Sequence, residues 1–115
     1  MAEKIIVETV RAAENCVRDI KNWLAVFKTE YDIADEAVKV LHEKLDDIGS
    51  KMAGIKCTKA GVEAASVQPV ANATRDAKNW LAVFAKEYDM SGEALGVLHN
   101  KLDELGSKLA AIECK

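Results

Sequence analysis

Apolar residues recur along this chain in alternating steps of three and four. In the first half they fall at Ile6, Val10, Ala13, Val17, Ile20, Leu24, Phe27 and Tyr31, then at Val38, Leu41, Leu45, Ile48, Met52 and Ile55. The second half continues at Val67, Val70, Ala77, Leu81, Phe84 and Tyr88, then at Leu95, Leu98, Leu102, Leu105, Leu109 and Ile112. Residues three or four apart return to one face of an α-helix, so the spacing draws a narrow apolar stripe of the kind a bundle buries. No useful length alternates with period two, and strands are not expected.

The stripe keeps its phase through residues 28–36 and 85–93, so each half reads either as one long helix or as a hairpin. Three features favour the hairpin. Asp32 and Asp89 have the short acceptor side chains of helix N-caps, and Glu36 and Glu93 would lie in the first turn, where the helix dipole favours negative charge. Ser91-Gly92 is a poor pair inside a continuous helix. Pro69 suits a first helical turn and nothing deeper, which starts the third helix between Val67 and Val70, with Thr58 and Gly61 bending the connection before it. The expected helices run near 3–30, 34–56, 68–87 and 92–113.

The halves also match residue by residue. Arg18 to Cys57 aligns with Arg75 to Cys114 at an offset of 57 without a gap, and 26 of the 40 positions are identical. Trp23 matches Trp80, Phe27 matches Phe84, Tyr31 matches Tyr88, His42 matches His99 and Cys57 matches Cys114. The first parts of the units differ more: Ile6 faces Glu63, Ala12 faces Pro69 and Cys16 faces Ala73. A self-similar period of this size marks a repeated supersecondary unit. The expectation is therefore an all-α fold: a four-helix bundle of two tandemly duplicated helical hairpins with pseudo-two-fold symmetry. It forms a single domain over 1–115, with units at 1–57 and 58–115.

Composition narrows the function classes. The charged fraction is 30% and the net charge −3. Lys4, Arg11, Arg18, Lys21 and Lys28 are interleaved with Glu3, Glu8, Glu14 and Asp19, so no cluster exists to displace counterions from a phosphate backbone, and nucleic acid is not an expected partner. No run of apolar residues approaches a membrane span, and the N-terminal stretch lacks the apolar core of a signal peptide. A cytoplasmic chain is expected, with a secreted mature chain as the alternative. Three cysteines cannot all pair within the chain.

Four sets of residues are candidates for chemistry. His42 precedes Asp46, and His99 precedes Asp103, by four residues, which stacks each pair on one helix face. Two-fold symmetry would gather two imidazoles and two carboxylates, a set suited to zinc, or two imidazoles able to ligate haem; the plainer reading is a pair of half-exposed histidines beside the core. Cys57 and Cys114 end their units at equivalent points and form a disulfide, bond a second chain, or stay reduced. Cys16, beside the stripe, reads as a small buried side chain. Trp23 and Trp80 lie just off the stripe, where they reach a groove or a partner, while Phe27, Tyr31 and their counterparts fill core volume. Gly49 and Gly106 read as points of close helix approach. Asn72-Ala73-Thr74 matches a glycosylation acceptor, relevant only in a secreted chain.

No catalytic constellation emerges, so an enzyme is the least supported reading, and the sequence calls for no particular cofactor. The first expectation is a non-enzymatic interaction or scaffold protein that binds a protein partner or itself. The alternative is a bundle holding a small ligand, haem or a metal at the paired histidines and aromatics.

Overall fold

A computed structural model describes residues 4–115. The element order is α1 (Val7–Tyr31), α2 (Asp35–Met52), β1 (Cys57–Thr58), β2 (Gly61–Val62), α3 (Ala64–Glu87) and α4 (Gly92–Ala110). The helices form an all-α four-helix bundle about 50 Å long and 19 by 18 Å across. Around it α1 lies between α2 and α4, and α3 lies between the same two, so α1 faces α3 and α2 faces α4 across the diagonals. The closest-packed neighbours are α2 with α3 and α1 with α4, which come from opposite halves of the chain.

The periodic stripe is the core. Ile20, Leu24, Ile48, Val70, Leu98, Leu102 and Leu105 are sealed from solvent almost completely. Burying each such side chain contributes roughly 1.5–3 kcal/mol. This burial holds together helices whose opposite faces are mostly polar.

The hairpin reading of each half holds, but its mechanism differs from the expected one. Asp32 and Asp89 do not cap the helices that follow. They end the helices that precede, in the left-handed region at φ 52° and 53°. Ile33 N–H donates to the Lys28 carbonyl (3.0 Å) and Met90 N–H to that of Ala85 (2.8 Å), closing the last turns of α1 and α3. Aspartate tolerates this conformation better than most residues because its side chain can bond locally. The N-cap positions fall to Ala34, which has no side chain to offer, and to Ser91, whose Oγ accepts from Ala94 N–H (3.1 Å). Glu36 and Glu93 do lie in the first turns of α2 and α4.

The third helix begins earlier than Pro69 suggests, at Ala64, which puts the proline in its second turn and leaves the Ala65 carbonyl without its usual donor. A short hairpin fixes this early start. Residues β1 and β2 pair antiparallel, Cys57 with Val62 and Thr58 with Gly61, about a turn in which Gly61 takes φ 111°. Beyond it Glu63 N–H donates to the Lys56 carbonyl (2.9 Å), and Lys56 N–H donates to Ser66 Oγ (2.9 Å). These two-residue strands are too short to leave an alternating pattern, so periodicity does not reveal them. A matching bridge joins Ile5 to Cys114, with Ile6 N–H donating to the Glu113 carbonyl (2.8 Å).

Candidate functional site

The expected four-ligand set does not assemble. His42 sits on α2 and His99 on α4, each half-buried, and these helices face one another across a diagonal filled by core leucines such as Leu41 and Leu98. The carboxylates are engaged by lysines: Asp46 is bonded to Lys21 and Asp103 to Lys78. The Lys78 ammonium holds the Asp103 carboxyl below the usual carboxylate range. Among the described residues, no group of three or more His, Cys, Asp or Glu side chains stands where it could hold a metal ion. His99 Nε2 is buried without a hydrogen-bond partner.

Cys57 and Cys114 are joined by a disulfide, with α-carbons 6.0 Å apart. The bridge lies at the end of the bundle where the short strands meet. Cys16 is a buried free thiol, and burial, reinforced by the nearby Glu104 carboxylate, pushes its pKa up. A raised pKa keeps it in the unreactive thiol form. Thr74 of the glycosylation match is buried, its hydroxyl donating to the Val70 carbonyl (2.9 Å).

The aromatic residues form one ladder on α1 and another on α3. Ring centroids are 5.6 Å apart for Trp23–Phe27 and for Trp80–Phe84, and 6.2 and 6.4 Å for Phe27–Tyr31 and Phe84–Tyr88. Phe27 and Phe84 are core residues, as their place on the stripe implies. Trp23 packs partly against the core, whereas Trp80 is 36% exposed and carries Lys44 Nζ 5.9 Å above its ring. One turn on, Val26 and Val83 are each 52% exposed, so both copies of the Trp-Leu-Ala-Val segment present an apolar patch on the outside of the bundle.

The tyrosines do more than fill volume. Tyr31 Oη donates to Ser91 Oγ (3.0 Å) and accepts from Ser91 N–H (3.2 Å). Tyr88 Oη accepts from Ala34 N–H (3.3 Å). Each tyrosine thus reaches from one half of the chain to the N-terminus of a helix in the other. Helical spacing alone placed them in the stripe and gave no hint of their partners, because a phenol is apolar along its ring and polar only at its tip.

Gly49 and Gly106 correct another expectation. A Cβ built at either would meet nothing within 4 Å, so neither marks a close helix approach. Each instead floors a groove between the two helices of its own hairpin. The α3/α4 groove, of about 410 Å³, has Arg75 and Lys78 at one end and Val67, Ala71, Leu102 and Leu109 along it. The α1/α2 groove, of about 260 Å³, is lined by the equivalent positions, among them Glu14, Arg18, Lys21 and Met52. Sequence reasoning missed both, although glycine retained at matching helix positions was the available signal.

Comparison with protein-family models, with curated proteins and with solved structures finds no match to this chain. No helix among the described residues is long and apolar enough to cross a membrane.

Proposed function

We propose that this chain is a non-enzymatic interaction protein that binds a protein, a second copy of itself included, through the paired outer patches of α1 and α3. The observation that carries this reading is the exposure of Val26 and Val83 beside Trp23 and Trp80 at equivalent places on diagonal helices. Single exposed apolar residues are ordinary, but a tryptophan and a valine one turn apart form a small anchor, and aromatic anchors dominate protein interfaces. Repetition of the patch on opposite sides of a rod suits bivalent attachment. A shallow hollow between Trp23 and Val26, edged by Asp19 and Asn22, gives the α1 copy some relief.

The Cys57–Cys114 bridge supports an oxidising compartment over the cytoplasmic expectation, since disulfides rarely persist among cytosolic thiols. The metal and haem readings rest on His42 and His99 alone and have no comparable support.

A photocrosslinking residue placed in turn at Val26, Val83 and the polar-face position Lys39 tests the proposal in an extract of the source cells. Positions 26 and 83 should capture the same protein, and position 39 should not. Equal labelling from all three, or none from 26 and 83, would remove the outer patches as the binding surface. Sedimentation of the wild type beside a Val26→Asp, Val83→Asp variant separates self-association from binding a different protein.

A further inference from the structure

We infer that the groove between α3 and α4 is a binding site for a small anionic amphiphile, a monocarboxylate with an alkyl chain, and that the α1/α2 groove is an inactive copy of it. This site is separate from the outer patches, and its test does not depend on them.

The α3/α4 groove is apolar from Val67 and Leu109 to Leu102, and Arg75, Lys78 and Asp103 line its other end. Ala71 and Gly106 hold its walls apart by having little or no side chain, and Leu102 and Leu109 line it. Thr74 offers an anion no free donor, because its hydroxyl donates to the Val70 carbonyl. At about 410 Å³ it falls in the size range of sites for small organic ligands. From Val67 to Lys78 it follows about 16 Å of helix, at 1.5 Å per residue, a length suited to an extended chain rather than to a compact ring.

Charge sets the chemistry of the head group. Lys78 is already neutralised by Asp103. Arg75, at the same end of the groove, has no carboxylate within ion-pair distance among the described residues. One uncompensated guanidinium at the end of an apolar trough complements one anionic head on an apolar tail. The guanidinium fork matches a carboxylate with two parallel hydrogen bonds.

The first repeat contains its own negative control. Where the second groove has Ala71, the first has Glu14, four residues before Arg18 on the same helix face. Glu14 makes no ion pair with Arg18, but its carboxylate lines the groove beside that guanidinium and repels an anion. It also occupies space, in keeping with the smaller volume of about 260 Å³.

Titration calorimetry with laurate, below its micelle concentration, tests the inference on the full disulfide-bonded chain. One laurate should bind per chain. Ala71→Glu should abolish binding, and it should leave folding intact because the other repeat already carries glutamate there. Arg75→Gln should weaken binding about ten- to a hundredfold, the loss expected for a charged hydrogen-bonded pair, whereas Arg18→Gln should change nothing. Glu14→Ala should raise the stoichiometry from one to two. Butyrate, which has the head without the tail, should bind far more weakly. No laurate binding, unchanged binding in Ala71→Glu with native circular dichroism, or binding to anionic phospholipid vesicles but not to free laurate would each overturn the assignment.

Discussion

Asp32 and Asp89 each hold a backbone conformation that most L-residues enter only at a cost of about 1–2 kcal/mol. They stand where a helix must stop and the chain must turn back at once, and the turn closes only if one residue goes left-handed. Glycine enters that region freely and a β-branched residue hardly at all. Asp89→Gly should therefore stabilise the protein by roughly 0.5–1 kcal/mol, and Asp89→Val should destabilise it by about 1–2 kcal/mol, in urea unfolding. If the two variants unfolded at the same urea concentration, the turn would owe nothing to this residue. Aspartate is common both before a helix and after one, so its presence in the sequence marked the break correctly and its role wrongly.

Between elements, the exposed faces are tied by ion pairs that run round the bundle. Lys21–Asp46 joins α1 to α2, Lys44–Asp76 (2.9 Å) joins α2 to α3, Lys78–Asp103 joins α3 to α4, and Lys101–Asp19 (2.9 Å) joins α4 to α1. Lys28–Asp35 (2.8 Å) spans the first turn between helices. Solvent-exposed pairs add little each, but their titration has a definite sign. Hydrogen bonding and charge from Lys28 and Lys78 lower the pKa values of Asp35 and Asp103. Their contribution is complete above the ordinary carboxylate pKa of about 4 and is lost as pH falls through the lowered values. Asp35, Asp76 and Asp19 raise the pKa values of Lys28, Lys44 and Lys101, so that contribution is complete below about pH 10 and lost as pH rises further. The urea midpoint should be flat through neutrality and fall at both extremes. An Asp35→Asn, Asp103→Asn variant should show a shallower fall on the acid side; an identical fall would mean these two pairs contribute nothing to it.

At this same scale the sequence was most legible where one physical pattern decides the outcome. Fourteen apolar positions in the first half, from Ile6 to Ile55, fixed helix type and the buried face. The start of α3 was not legible, because Ser66 and Glu63 set it through bonds to Lys56 in a preceding hairpin, and Pro69 carried the stronger local signal. The grooves were not legible for a related reason. A glycine opens space or closes it depending on how far away the next helix lies, and helix separation is a tertiary property. The histidine set failed because spacing places residues on a face but does not say which helices become neighbours.

Across the whole molecule, contacts come in pairs whose members are exchanged by the 57-residue offset. Lys44 meets Asp76, and Lys101 meets Asp19. Tyr31 reaches Ser91, and Tyr88 reaches Ala34. Cys57 pairs with Val62, and Cys114 with Ile5. An approximate two-fold axis accounts for all of these, and the bond between the equivalent residues Cys57 and Cys114 lies where such an axis must pass. Closing a loop of this size by a disulfide is worth about 4 kcal/mol through the entropy it removes from the unfolded chain.

The pairing of Lys4 with Lys115, through backbone bonds of 3.0 and 2.7 Å, answers that of Thr58 with Gly61 across the Lys59-Ala60 turn. The helices therefore follow one another in a cycle, with the Lys59-Ala60 turn on one side of the pairing and the Lys4–Lys115 bonds on the other. A chain that begins at Ala60, runs through α3 and α4, and continues from Lys115 into α1 and α2 should reach the same bundle and form the same bridge. Its thermal midpoint should stay within a few degrees of the original, and a permuted chain that failed to fold would show that the Lys59-Ala60 connection has a role its counterpart lacks.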